Sequence, residues 1–423
     1  MSLNRKIQPS VSLPTKVDLP KVDTIVLDNG LKVYAIYSSQ EILKIDFTFE
    51  AGKWYEDKNL EADFALRLAR EGTQSKSSFE INDYLDFYGA SLEEHVYFSN
   101  SGFQLFTLSK YTSEVLPLLK EILTEAVFPE HEFDTILRNK RERLSQNLAK
   151  NDFVANRLFV SSMWGSQHPY GRLTQFEDFD NLKLETIQSY YRKHFTASNC
   201  FVILSGNYNQ STISQLNTIF GQTDWIGKKV ELIDHLVLPS SNFEQYETMK
   251  GSVQSSIMIG NKSILRSHPD YDALTVLNTI FGGYFGSRLM SNIREEKGYT
   301  YGIYSSLTPY RNGTIFEISA DTDISYREAV FNEIFSEIQR LKTELVDSDE
   351  LQTVKNYMVG KIMRSIDGAF RYADVWKSLL LFERDEASLN NYLNTISEVT
   401  SEDMMKFANQ YFDTEKMYKI AVG

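Results

Sequence analysis

The chain carries the same order of elements twice, and this repetition constrains its fold more than any other feature of the sequence. A helix–loop–helix pattern occurs in each half, in VLPLLKEILTEAVFPEHEF and in AVFNEIFSEIQRLKTELVDSDEL. Each half also ends in a short apolar strand, within HFTASNCFVILSG and YFDTEKMYKIAVG. Self-similarity at half the chain length predicts a duplicated structural unit.

The patterns within each half predict both strands and helices. TIVLDNGLKVYAIY predicts a hairpin, because Asn29-Gly30 readily accepts a type I′ turn between two apolar strands. Apolar residues at helical spacing predict helices over 59–72, 112–126 and 128–150, whereas HPYGRLTQFEDF (168–179) predicts a loop. We therefore expect an α+β fold of two homologous α+β domains, each a mainly antiparallel sheet packed with helices.

The domain boundaries follow from lapses in this periodicity. The first residues are polar and interrupted by prolines, and the periodicity lapses again around QTDWIGKKVELIDHLVLPSSN. The predicted units are an N-terminal arm (1–20), an N-terminal domain (21–221), a linker (222–245) and a C-terminal domain (246–423).

Residues 281–304, FGGYFGSRLMSNIREEKGYTYGIY, are the most distinctive stretch of the second half. A helix ends at Gly282 and Gly283, and a short amphipathic helix that carries Arg294 follows. Gly298 ends this second helix, because glycine adopts the left-handed backbone conformation at little cost.

A strand rich in tyrosine follows that glycine. The alternation of Tyr299, Tyr301 and Ile303 predicts that these three side chains share one face of the strand. Arg294 and Tyr301 are therefore expected to converge across the turn at Gly298.

The pattern GG…SRL…REE-x-G-x-x-Y resembles the C-terminal half of the pitrilysin/insulinase family of zinc peptidases, the inverzincins. The resemblance runs from Asp23 to Gly423 and includes DNGLKV, EGT, HPYGR and the final VG. It implies two homologous α+β domains. Within the family, the chain resembles the subunit that lacks the zinc motif in the two-chain bacterial type, and it is similar also to mitochondrial processing peptidase subunits.

The zinc motif of that family is not preserved. The family carries H-x-x-E-H just before a Gly-Thr pair that stands here at Gly72-Thr73. The matching positions are Asp63, Leu66 and Arg67, so both histidines and the general base are absent. Arg67 has no lone pair to offer a metal, and its spacing from Asp63 predicts an i,i+4 ion pair instead.

No other residues replace the missing ligands in the sequence. The family's third ligand, a glutamate, matches a helix over 138–148, where Gln146 is the best match and Glu142 the nearest carboxylate. The six histidines are scattered without partners at ligand spacing: His95, His131, His168, His194, His235 and His268. We predict no metal in this chain and expect zinc in a partner subunit.

The resemblance implies roles in a shared active site. Arg294 would hold a peptide carbonyl or carboxylate, and Tyr301 would donate to the substrate or the oxyanion at the zinc of a homologous subunit that carries H-x-x-E-H. The alternative is a catalytically inert scaffold or peptide-binding protein, in which both residues are remnants. A heterodimer or homodimer is expected, and the chain alone is expected to be inactive.

Peptide binding is expected by strand addition to a sheet edge near residues 89–98. The positions assigned to substrate are Glu93 and Glu94 in that edge, and Gly282 and Gly283 at the helix end. Since the family usually has Asn-Ala where Glu93-Glu94 stands, this departure suggests that the partner provides the main grip on the peptide.

Composition excludes several classes of function. A net charge of −13 argues against nucleic-acid binding, which draws on clustered lysine and arginine. A single cysteine, Cys200, permits neither an intramolecular disulfide nor a thiolate metal cluster. The sequence lacks a signal-peptide pattern and a membrane-spanning apolar run, so we expect a cytoplasmic protein without a membrane association.

Overall fold

The computed structural model describes residue 14 and residues 16–423, so most of the predicted arm, residues 1–13 and 15, lies outside the described residues. Eleven strands occur in the described part: β1 (Val22–Val26), β2 (Lys32–Tyr37), β3 (Ile42–Phe49), β4 (Ser91–Val96), β5 (Ser101–Leu108), β6 (Cys200–Gly206), β7 (Glu244–Glu247), β8 (Gln254–Ser263), β9 (Thr300–Tyr310), β10 (Gly313–Asp323) and β11 (Tyr418–Val422).

The described α-helices are α1 (Glu61–Ala69), α2 (Ser78–Phe87), α3 (Thr112–Glu125), α4 (Glu130–Leu148), α5 (Asn151–Trp164), α6 (Phe176–Asn181), α7 (Leu184–His194), α8 (Gln210–Phe220), α9 (Tyr271–Phe281), α10 (Arg327–Thr343), α11 (Ser348–Ser365), α12 (Ala369–Leu381), α13 (Ala387–Glu398) and α14 (Ser401–Tyr411). None of the described helices is long and apolar enough to cross a bilayer.

Two mixed sheets confirm the predicted duplication. The first has the order β1-β2-β6-β3-β5-β4, and the second has β7-β11-β8-β10-β9. Apart from the extra strand β1, each position in one sheet has a counterpart in the other. The pairs β2–β6 and β7–β11 are parallel, and the other pairs are antiparallel. The α+β prediction is confirmed.

The hairpin prediction is also confirmed, whereas the predicted loop over 168–179 is partly wrong. Strands β1 and β2 pair antiparallel as predicted, but the turn is not of type I′, because Gly30 has a positive φ of 88° whereas Asn29 does not have a positive φ. Helix α6 begins inside the predicted loop. The Gln175 N–H donates to the Asp178 carboxylate at 2.7 Å, and this capping interaction satisfies a free backbone donor at the helix start.

Two helices pack against the sheet of the opposite half. Val154 and Phe159 on α5, from the first half, share a core with Ile420 and Val422 of the second sheet. On α12, from the second half, Tyr372 and Ala373 pack with Ile36 and Ile203 of the first sheet. Burying apolar surface across the boundary in both directions joins the halves through their cores.

The connection between the sheets has no helix or strand from Ile226 to Phe243. It is fastened to the first half by hydrogen bonds. The Trp54 indole donates to the Ile233 carbonyl at 3.0 Å, and the Leu238 N–H donates to the Trp164 carbonyl at 3.2 Å. This segment is therefore an ordered strap along the first half.

Candidate functional site

The segment that carries Arg294 is a short helix, as the sequence predicts, but it is π-helical. It runs from Met290 to Glu296, and Gly298 follows with a φ of +66°. Met290 and Ile293 are fully buried and anchor one side of the turn. A π-helix is a local irregularity that occurs often at functional sites.

Arg288, earlier in the same segment, has a structural role. Its Nε and Nη2 donate to the two Glu350 carboxylate oxygens of α11, each at 2.8 Å. This two-pronged ion pair fixes the segment to α11. Arg294 of the same segment is less firmly held, since its Nη1 lies 3.9 Å from Glu295 Oε1.

Tyr301 projects from the edge strand β9 almost entirely into solvent. Its relative exposure is 93%, whereas Ile303 is fully buried. The prediction that the two share one strand face is wrong. Ile303 pairs with Ala320 and Thr300 pairs with Thr322, so two residues of β9 oppose only Asp321. This β-bulge breaks the alternation, as bulges that redirect side chains commonly do.

Arg294 and Tyr301 line the same surface hollow of about 680 Å³. The Arg294 guanidinium lies over the Phe285 ring, 4.7 Å from its centre, and its side chain is 34% exposed. Asp321 and Asp323 also line this hollow. The predicted convergence of the arginine and the tyrosine is therefore present in the structure.

Gly282 and Gly283 serve the packing of the chain at the end of α9. The Ser305 N–H donates to the Gly282 carbonyl at 3.0 Å. A Cβ atom at Gly282 would approach Ser305 N to 2.6 Å, and one at Gly283 would approach Thr279 Cα to 2.7 Å. Close backbone contact explains both glycines, and neither lines the hollow with Tyr301. Their assignment to substrate binding remains a prediction.

Helix α1 carries the three positions that match the zinc motif. Leu66 is fully buried in the core, and Arg67 Nε lies 3.3 Å from Asp63 Oδ1, as the spacing predicts. Asp63 also forms an ion pair with Lys140 of α4. Arg67 Nη1 lies 3.1 Å from Glu94 of β4, whose other oxygen is 2.9 Å from Arg70.

Neither residue matched to the third zinc ligand forms a hydrogen bond or an ion pair with Asp63. Gln146 and Glu142 are exposed and hydrogen-bond each other at 3.3 Å, whereas Lys140 is the residue of α4 that reaches Asp63. Burial lowers the pKa of Lys140, and the attraction of Asp63 opposes this effect. An ammonium group at this place does not fit a bound cation.

Electrostatics at these positions also disfavour zinc. Lys140, Arg67 and Arg70 face only two carboxylates, Asp63 and Glu94, so the group carries a net positive charge. No set of three histidine, cysteine or acidic residues suited to a metal occurs in the described chain. The residues at this place therefore do not fit the zinc of an inverzincin.

Two family models match the chain. The model described as insulinase (peptidase family M16) matches residues 32–170, and the model described as peptidase M16 inactive domain matches residues 181–358. The chain belongs to the peptidase M16 family. The resemblance seen in the sequence motifs is thereby confirmed.

Relatives within the M16 family carry different descriptions. An uncharacterized zinc protease, YmxG, of Bacillus subtilis is 23% identical over 82% of this chain and 85% of its own length. The non-peptidase homolog YmxG of Helicobacter pylori is 24% identical over 65% of each chain. The crystal structure of a peptidase M16 inactive domain from Pseudomonas fluorescens has a TM-score of 0.86, with 21% identity over 95% of this chain and 98% of that one. This last likeness shows the fold.

In this M16 chain, β4 forms an outer edge of the first sheet, as predicted for residues 89–98. Glu94 forms ion pairs with Arg67 and Arg70, and Glu93 is exposed. Both glutamates line a hollow with His95 and Lys377. The assignment of Glu93 and Glu94 to substrate binding remains a prediction.

Sequence spacing did not reveal the buried polar cluster at that hollow. Lys377 of α12 donates to both Asp46 carboxylate oxygens, at 3.1 and 2.9 Å, and its Nζ lies 2.9 Å from His95 Nε2. Burial lowers the pKa of His95 to about 4, so the neutral ring can accept a hydrogen bond from Lys377. Lys377 is hundreds of positions from Asp46 and His95 in the sequence, and only the packing of α12 on the first sheet brings it to them.

Proposed function

We propose that this chain is the subunit without zinc of a two-chain M16 metallopeptidase. It pairs with a homologous chain that carries H-x-x-E-H and contributes Arg294 and Tyr301 to peptide binding and transition-state stabilisation there. The observation that carries this proposal is the placement of Tyr301. A bulge turns it outward to 93% exposure beside Arg294, and the described residues offer its hydroxyl no hydrogen-bond partner.

The residues at the zinc-motif positions support the assignment of the zinc site to a partner chain. Leu66 has no proton-accepting group, and Arg67 is a permanent cation. The Lys140 ammonium beside Asp63 would oppose entry of Zn²⁺ by direct repulsion. The zinc and the general base therefore come from the partner, and this chain supplies hydrogen-bond donors.

The chemistry of the two side chains suits that role. A phenol can donate to the oxygen that gains negative charge when water adds to a peptide carbonyl, and a guanidinium can hold a carbonyl or a carboxylate. Donors aimed at the developing oxyanion act most strongly where the partner excludes water. Loss of one such donor lowers turnover by roughly 10²–10³-fold.

Reconstitution tests the proposal. The purified chain should contain no stoichiometric zinc and should not hydrolyse peptides, and addition of a homologous chain with H-x-x-E-H should restore hydrolysis. Tyr301→Phe should lower kcat of the mixed enzyme about 100-fold, while the amount of complex on size-exclusion chromatography stays unchanged.

Tyr37→Phe is the matched control, because Tyr37 is also exposed, at 60%, and lies on β2 of the other sheet. It should leave kcat unchanged. Stoichiometric zinc together with hydrolysis by the lone chain would overturn the proposal.

The second candidate function is an inert scaffold or peptide-binding protein. The ion pairs that occupy the zinc-motif positions favour it, because they stabilise the fold without any catalytic use. In that case the mixed enzyme would tolerate Tyr301→Phe without loss of kcat. The same variant therefore separates the two functions.

A further inference from the structure

A hollow of about 530 Å³ lies where the two halves meet, away from Tyr301. From the first half it is lined by the turn between β1 and β2, the end of β3 and the start of β6. From the second half it is lined by Arg311, in the turn between β9 and β10, and by Leu380 and Leu381 at the end of α12. Its volume falls within the range of small-molecule sites.

The lining of this hollow has more basic than acidic residues, whereas the whole chain has more acidic than basic residues. The chain has 57 acidic and 44 basic residues. Three basic residues nevertheless line the hollow, Lys32, Lys229 and Arg311, against one carboxylate among the described lining residues, Glu50. A concave surface with a local excess of positive charge raises the local concentration of anions.

The single carboxylate does not neutralise this excess. Lys229 Nζ lies 2.7 Å from Glu50 Oε2, and Arg311 Nη1 lies 3.3 Å from Glu50 Oε1, so two cations share one anion. Arg311 has a second partner in Glu383 at 3.1 Å, outside the lining. Lys32 is exposed and forms no ion pair with the described residues.

The rest of the lining offers both apolar and polar contacts. Phe201 and Leu380, both half-buried, form part of an apolar wall, and the hydroxyls of Ser99 and Ser198 are potential hydrogen-bonding groups. A few polar groups on a partly apolar wall are typical of sites for small organic ligands.

We propose that this hollow binds a small organic anion. Its carboxylate or phosphate group is held by Lys32, Lys229 and Arg311, and its apolar body lies along Phe201 and Leu380. Because the cations come from both halves, the ligand bridges them and stabilises the native chain by mass action. This site is independent of the proposed peptidase role of Tyr301.

Calorimetric titration of the full chain tests the proposal with three probes of similar size. N-acetylphenylalanine carries a carboxylate, phenyl phosphate carries a phosphate, and N-acetylphenylalaninamide is neutral. At least one anionic probe should bind 10-fold or more tightly than the neutral amide, and its affinity should fall as salt is raised. Which anionic probe binds more tightly identifies the preferred head group.

Charge-neutralising variants locate the binding. Lys32→Gln with Lys229→Gln should weaken the anionic probe at least 10-fold. The matched double variant, Lys183→Gln with Lys250→Gln, removes two exposed lysines outside the lining and should bind as the native chain does. The proposal would be overturned if no probe binds, or if the neutral amide binds as tightly as the anionic probes. It would also be overturned if both double variants lose the same affinity for the anionic probe.

Discussion

The ion pair between Asp46 and Lys377 joins β3 of the first half to α12 of the second, and Asp46→Asn is the most informative change to it. The side chains are only 3% and 13% exposed, and Lys377 Nζ lies 2.9 Å from Asp46 Oδ2. Asp46 also accepts from Thr48 at 2.8 Å and from Gln104 at 3.2 Å. Asparagine has one acceptor oxygen instead of two, and it leaves the Lys377 charge without its counterion.

Removal of one partner from a buried, hydrogen-bonded ion pair costs about 3–5 kcal/mol, because the remaining charge stays desolvated. Glu244→Gln is the matched control. Its pair with Lys419, at 2.6 Å, is 53% and 28% exposed, so its loss should cost less than about 1 kcal/mol. Urea unfolding at pH 7, followed by circular dichroism, compares the two variants with the native chain.

The deficit of Asp46→Asn should shrink as pH rises. Burial lowers the pKa of Lys377, and the attraction of Asp46 opposes this effect in the native chain. Without Asp46 the pKa of Lys377 in the folded state falls further below its unfolded value of about 10.4. At pH values between these two pKa values, the folded state binds fewer protons than the unfolded state. The free energy of unfolding therefore rises with pH relative to the native chain.

A variant in which both Asp46 and Lys377 are replaced is compared with the Asp46→Asn variant. Asp46→Leu with Lys377→Met removes both charges and should lose less stability than Asp46→Asn alone. A loss below about 1 kcal/mol for Asp46→Asn at pH 7, or a double variant that loses the sum of the two single losses, would refute the interpretation of this pair as a buried link between the halves.

Two further predictions concern stability. Burial lowers the pKa of His168 and of His194 to about 4. Because unfolded histidine titrates near 6.5, the free energy of unfolding should fall between pH 6.5 and pH 4, by up to roughly 3 kcal/mol for each histidine, as measured by urea unfolding across that range. Gly102→Ala would place a Cβ atom 1.8 Å from the Phe47 carbonyl oxygen and should lower the unfolding free energy by about 3 kcal/mol. Gly251→Ala, where φ is +84° and no atom lies within 4 Å, should cost only about 1 kcal/mol, and a loss as large as that of Gly102→Ala would contradict the steric explanation.

Much of the candidate site could be predicted from local sequence. The Gly298 turn, the short helix that carries Arg294 and their approach to Tyr301 depend on residues close together in the chain. The outward direction of Tyr301 could not be predicted, because the bulge arises from the pairing of β9 with β10 across Asp321. Lys140 was missed for a similar reason, since its approach to Asp63 depends on how α4 packs beside α1.

The sequence by itself determined the duplication, the α+β class and the loss of the zinc ligands, because each is written in residue identity or in periodicity along the chain. Tertiary structure alone decided how the halves join. The sequence pattern predicts no helix over α5 or α12, the two helices that pack on the opposite half. Helix α5 lies among core residues of both halves, so it contacts apolar surface on more than one side and lacks the one-sided apolar stripe from which amphipathic helices are recognised.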